Sequence, residues 1–134
     1  MPYLHLWERH GVVKRFTGFV SGTEFVESAQ EIAADERFES LRFIINDFLS
    51  AEGHGIDASA LENIAVIRFG SMLTNPNIRV LVVTTHTEFT VLAEAAKAPA
   101  LDGSHEARAF PTMALAREWL AKQCVLNQIL TRGP

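Results

Sequence analysis

The chain has a single cysteine, Cys124, among 134 residues. An internal disulfide is excluded, so the fold must be held by its core. Such sparing use of cysteine suits a reducing compartment, and a cytoplasmic protein is expected. Long hydrophobic runs are also missing. No apolar stretch approaches the ~18–20 residues that cross a bilayer as a helix. The opening ten residues lack the basic-then-apolar order of a signal peptide. Basic clusters are scarce: 12 Lys and Arg stand against 16 Asp and Glu, for a formal net charge of −4. Lys14-Arg15 is the densest basic pair, which disfavours nucleic acid as a partner, because phosphate backbones are met by basic patches. The glycines fall into neither Gly-x-Gly-x-x-Gly nor Walker spacing, so no phosphate-binding loop is expected, and no motif calls for a cofactor.

What is present is an ordinary globular composition, 48% hydrophobic and 21% charged. The length suits one domain, 1–134, without a linker. Leu4 to Trp7 and Val12 to Val20 are strand-like and joined by Glu8-Arg9-His10-Gly11, which predicts an edge hairpin. Ser21 and Glu24 have capping-box spacing before Phe25, Ala29, Ile32 and Ala33, a helical pattern. Leu41 to Phe48 predicts a strand, and its unbroken Phe43-Ile44-Ile45 suits one covered on both faces. Gly53-His54-Gly55 predicts a loop. Ser59 and Glu62 form a second capping box, opening a helix with Leu61, Ile64, Ala65 and Met72 that ends near Leu73. Within it, Ile64 to Phe69 also suits a strand. Asn75-Pro76-Asn77 breaks the chain before Ile78 to Thr84, the strongest strand. Glu88 to Lys97 follows as a helix capped by Thr87, then a loop from Ala98 to Ser104. Ala107 to Phe110 is a short last strand. Pro111-Thr112 opens a final helix with Leu115, Trp119, Leu126 and Leu130 aligned. The order β-β-α-β-α-β-α-β-α implies an α/β fold. Its expected form is a mainly parallel four- to five-stranded sheet with an antiparallel N-terminal edge hairpin and about four helices.

In open sheets of this kind ligands sit at the carboxyl ends of the strands. The order places Asp47, His54, Asp57, Ser59, Thr84, Thr85 and His86 there. Ser59 serves either as a helix N-cap or as a phosphoacceptor, since the free N–H groups of a helix start favour a phosphate. Asp47 sits where a receiver domain carries its phosphoaccepting aspartate. The acidic pair and lysine that hold magnesium in such domains are missing, which leaves Asp47 a loop hydrogen-bonding group or cap. His54, His86 and Asp57 have the donor types of a zinc site or proton shuttle but not the spacing, and two solvated loop histidines is the simpler reading. Ser59 with His54 or His86 has the residue types of a hydrolase, without a Gly-x-Ser-x-Gly elbow. Trp7 and Trp119 suit core or interface positions, and Cys124 a packing position in the last helix. That helix carries Val125, Leu126, Ile129 and Leu130 on more than one side, so a homodimer contact through Leu126, Ile129 and Leu130 is expected, with folding back on the core as the alternative.

On these residues the chain resembles the SpoIIAA-like fold, the STAS class of anti-sigma-factor antagonists and related domains, over nearly its whole length. Asn46-Asp47-Phe48 is similar to a strand end that precedes the antagonists' motif, hydrophobic-Asp-Ser-Ser-Gly-Leu. Ile56-Asp57-Ala58-Ser59-Ala60-Leu61 is similar to the motif itself, with Ser59 at the phosphoserine position, Ala58 for the first serine and Ala60 for the glycine. The stretch from Asn75 to Val83, Ala109-Phe110-Pro111 and Ala116-Arg117-Glu118-Trp119-Leu120 resembles the uncharacterised bacterial SpoIIAA-like proteins more than true antagonists. The resemblance implies a non-enzymatic regulatory or protein-interaction module. Its partner edge would run from Asp47 to Ser59, with phosphorylation of Ser59 as the modulator. The residues leave an alternative open, a binder of a small anionic or apolar molecule at the strand ends.

Overall fold

The computed structural model describes residues 3–95 and 107–131, with side chains up to residue 123. β1 (Tyr3–Glu8) and β2 (Gly11–Ser21) pair antiparallel around the Arg9-His10 turn. β3 (Phe43–Gly55), β4 (Arg79–Val83) and β5 (Ala107–Phe110) then add in parallel, and the spatial order β1-β2-β3-β4-β5 follows the chain. α1 (Gly22–Ala34), α2 (Ala58–Thr74) and α3 (Thr87–Ala95) connect the parallel strands, and α4 (Met113–Thr131) follows the last one. A 3₁₀ turn, Glu36–Ser40, lies after α1. The expected five-stranded, mainly parallel sheet with one antiparallel edge hairpin and four helices is present.

The two-residue period of a strand divides the core into two layers. Val12, Phe16, Ile44, Phe48 and Val82 face Ile32 of α1 and Phe89 and Leu92 of α3. Val13, Ile45, Leu81 and Val83 face Ala116, Trp119 and Leu120 of α4. The run Phe43-Ile44-Ile45 is apolar throughout because successive residues enter opposite layers. Phe16, Phe48 and Phe89 stack in a column, with ring centroids 4.9 and 4.4 Å apart.

Three local expectations are corrected. β3 does not end at Phe48. It pairs with β4 only to Asp47↔Val83 and then continues along β2 to Ser21↔Gly55, so Gly53-His54-Gly55 is strand and not loop. The register slips between Arg15 and Thr17 and between Gly18 and Phe19, and Gly18 takes a φ of 65° that a side chain would resist. The glycines of β3 act as clearance, not breakers: the Phe19 ring lies 3.1 Å from where a Cβ on Gly55 would stand. α2 starts at Ala58 and is capped by Asp57, whose Oδ1 accepts from Ala60 N at 2.9 Å. Ser59 is therefore a first-turn residue and not the N-cap; an ionised carboxylate one residue before the helix is the stronger acceptor. α3 starts at Thr87, and the first N–H groups reach His86 O rather than a Thr87 cap.

The ambiguous stretch from Ile64 to Phe69 is helical, because a parallel crossover needs a long connection and α2 supplies it. The capping box of Ser21 and Glu24 is complete, with both arms at 3.1 Å. The loop from Ala98 to Ser104, the packing position of Cys124 and the dimer contact of Leu126, Ile129 and Leu130 fall outside the described residues or side chains.

Candidate functional site

The carboxyl-terminal edge gathers most of the expected residues, with several in different roles. Asp47 is buried beside the last β3–β4 pair. It accepts from Leu49 N at 3.0 Å and stands 3.6 Å from the Arg15 guanidinium, so it is tied into the sheet. His54 accepts the Ile56 N–H through Nδ1 at 3.0 Å. Its ring centroid lies 5.2 Å from that of Phe89, and the His86 ring lies 6.5 Å from the same phenyl group. The two histidines thus flank one core aromatic. Thr84 is buried and its Oγ1 accepts from His86 N at 3.0 Å, holding the β4–α3 turn, while Thr85 is exposed. Among the described residues no hydrogen bond joins Ser59 to His54 or His86, and no three His, Cys, Asp or Glu side chains gather as a metal site.

Ser59 and Asp57 lie on a groove between the starts of α1 and α2, shared with Gly22, Glu27, Gly55 and Asn63. Two helix N-termini meeting there would favour an anion. The two capping residues, Ser21 on α1 and Asp57 on α2, already take part of those donors, and the groove itself carries Glu27 and Asp57. Its charge is unsuited to a free anion.

A second polar group was missed. His5, Lys14, Asn46 and Val82 form one row across β1, β2, β3 and β4, on the face covered by α1 to α3. Lys14 is 4% exposed. Its ammonium lies 4.8 Å from the Phe25 ring centroid and 5.5 Å from that of Phe16. Among the described residues it has no carboxylate partner and no hydrogen-bond acceptor. Burial pushes Lys14 down to about 7; the charge of Arg68 acts the same way and Glu31 opposes it. Asn46 donates through Nδ2 to Leu81 O at 3.2 Å, and its buried Oδ1 receives no donor. Arg68 of α2 is itself lowered to about 10 by burial. At the β1 end, His5 Nε2 pairs with Ser28 Oγ at 2.8 Å, and Tyr3 donates to Glu31 Oε1 at 2.8 Å. The sequence did carry a signal for this row: Lys14 stands at strand spacing between Val12 and Phe16, and Asn46 between Ile44 and Phe48. The spacing turns both inward.

No protein-family model and no curated protein matches the chain. Among solved structures it is similar to that of the anti-sigma factor antagonist SpoIIAA in its unphosphorylated form. The TM-score is 0.56 at 13% identity, over 89% of this chain and 97% of that one. No helix among the described residues is long and apolar enough to cross a membrane. The sheet order, its antiparallel first pair and this superposition together give the chain the SpoIIAA-like, or STAS-like, α/β fold.

Proposed function

We propose that this chain is a non-enzymatic regulatory module that docks a protein partner along the outer face of α2, with phosphorylation of Ser59 as the modulator. One observation carries the reading. Ser59, Glu62, Val66, Phe69 and Leu73 recur at steps of three and four residues, the spacing of a single helix face. All five are exposed, and Val66, Phe69 and Leu73 are 72%, 62% and 76% accessible. The face extends over about 21 Å of helix. Apolar side chains in such a row match the anchors by which helices dock into grooves. Ser59 and Glu62 form its polar head. A phosphate on Ser59 adds about −2 charge beside Glu62 and Asp57, so an acidic partner rim would be repelled. The likeness to the structure of an anti-sigma factor antagonist in its unphosphorylated form supports this choice over an enzyme.

The test uses the full chain with a photo-crosslinking benzophenone side chain at position 69, expressed in its native cell. The expected result is a discrete adduct with another protein, absent when the label stands at position 4 on β1. Ser59→Glu should lower the adduct yield roughly tenfold, equivalent to ~1.4 kcal/mol. Equal labelling from both positions would sink the docking face. An unchanged yield with Ser59→Glu, together with no phosphopeptide covering Ile56 to Leu61, would remove Ser59 as the modulator.

A further inference from the structure

The Lys14 row borders an internal cavity that the carboxyl-terminal edge does not include. The cavity holds about 100 Å³ between the sheet and the inner faces of α1, α2 and α3. Phe25, Ile64, Phe89 and Leu92 supply much of its wall, which is overwhelmingly apolar. Ala29 of α1 and Ile67 of α2 also line it and are partly exposed, so the way in from solvent runs between those helices. Lys14 and Asn46 reach the same space from neighbouring strands, in register and each more than nine-tenths buried. The Lys14 amine has the Phe25 and Phe16 rings as neighbours, and Asn46 Oδ1 receives no donor. Arg68 lies on the wall too, but it has a partner within the protein and the site does not draw on its charge. Burial leaves Lys14 titrating at about 7, so near neutral pH about half of it is the free amine. A desolvated, neutral lysine amine is a nucleophile, whereas an exposed lysine at the same pH is almost wholly protonated.

We infer that Lys14 is the attachment point for a reversible imine with a short unbranched aliphatic aldehyde, whose chain fills the cavity. The Nζ lone pair attacks the carbonyl carbon, forming the C–N bond, and the carbonyl π pair moves to oxygen. One amine proton follows it, giving a carbinolamine hydroxyl. Asn46 Oδ1, on the neighbouring strand, is the acceptor for that hydroxyl. The C–O bond then breaks, the second amine proton leaves with the oxygen as water, and the C=N bond closes. Nothing is oxidised or reduced, and hydrolysis returns the amine and the aldehyde. A neutral imine suits the apolar wall better than a buried ammonium does. Size sets the chain length: an apolar cavity of about 150 Å³ takes a benzene ring, so this one takes a chain of about three to five carbons. The site captures a ligand without turnover and is independent of the α2 docking face, which uses the opposite side of that helix.

The probe is butanal, incubated with the full chain at pH 7 in the presence of sodium cyanoborohydride, which reduces any imine to a stable alkylamine. Peptide mass mapping then gives the rate of butylation at each amine. Lys14 should react at least about tenfold faster than Lys122, which is exposed on α4. In denaturing urea that preference should vanish, because it depends on burial. 2-Naphthaldehyde, larger than the single ring that a bigger cavity admits, should show no preference for Lys14. Asn46→Leu, which removes the acceptor, should slow butylation of Lys14 by roughly tenfold while keeping the native circular dichroism spectrum. Four results would each overturn the site: butylation of Lys14 no faster than of Lys122, a preference that survives urea, equal selectivity for 2-naphthaldehyde, or an unchanged rate in folded Asn46→Leu. Should Asn46→Leu fail to fold, the three wild-type comparisons decide alone.

Discussion

Lys14 sets the most specific expectation at the residue scale. Its ammonium titrates at about 7 in the folded chain, against 10.5 for a free lysine. Above the higher value both folded and unfolded states are neutral. As pH falls from about 10.5 to about 7 the unfolded chain takes up the proton first, so stability declines over that window and levels off below it. The groups facing Lys14 are His5 on β1, Asn46 on β3, Glu31 on α1 and Arg68 on α2. Tyr3, held up to about 12 by burial and Glu31, has the opposite sign and acts only above its free value of 10.0. Urea midpoints measured from pH 7 to about pH 9.5 should therefore rise for the wild type. Lys14→Met should be more stable at pH 7 by about 2 kcal/mol and should lose that slope. The cap of α2 is settled by two further substitutions. Asp57→Ala should cost about 1 kcal/mol in denaturant unfolding, and Ser59→Ala less than about 0.5 kcal/mol. A larger loss at Ser59 would return the cap to the serine.

At the scale of elements, α2 has two apolar sides with different fates. Ala60 and Ile64 are buried in the core, and Val66, Phe69 and Leu73 face outward. Val66→Asp and Leu73→Asp should leave the chemical unfolding midpoint within about 0.5 kcal/mol of the wild type while abolishing the crosslink from position 69. A large destabilisation would mean that the stripe is packed and not free. The far end of α2 is held differently. Asn75 donates to Phe38 O and Leu41 O, both at 2.9 Å, and accepts from Asn77 N at 3.1 Å, joining the helix end to the 3₁₀ turn. It is 4% exposed, so Asn75→Ala would leave buried carbonyls short of a donor. A loss of about 2–3 kcal/mol in thermal or urea unfolding is expected. These elements also show where local reading succeeds. The Ser21–Glu24 box and the strand at Val80 to Val83 were legible because their signals are short-range. The extension of β3 through Gly55 was not, because it depends on Phe19, thirty-odd residues earlier, lying over its glycines.

For the whole molecule, the sheet needs both of its layers. α4 alone, among the described residues, covers Val13, Ile45, Leu81 and Val83. A chain ending after Phe110 would expose that face to water, and it should lose cooperative thermal unfolding and near-ultraviolet dichroism. Retained sharp unfolding would show that the other layer suffices. The exposed Arg117–Glu8 pair, with contacts of 3.0 and 2.6 Å, ties α4 to the β1 turn but adds little, since water competes for both partners.

The amino-acid sequence by itself determined the order of elements, the parallel sheet with its antiparallel first pair and the inward parity of Lys14 and Asn46. All follow from hydrophobic period and local turn chemistry, which act over a few residues. Tertiary structure alone decided the rest. Asp57 rather than Ser59 caps α2 because the entry of β3 into that helix puts the carboxylate on the free N–H. Asp47 is tied into the sheet because Arg15 is its register neighbour. Lys14 is buried against Phe16 and Phe25 because the helices on that face close over the sheet. Contacts between segments far apart in the chain carry no local pattern, so they emerge only when the sheet and helices assemble.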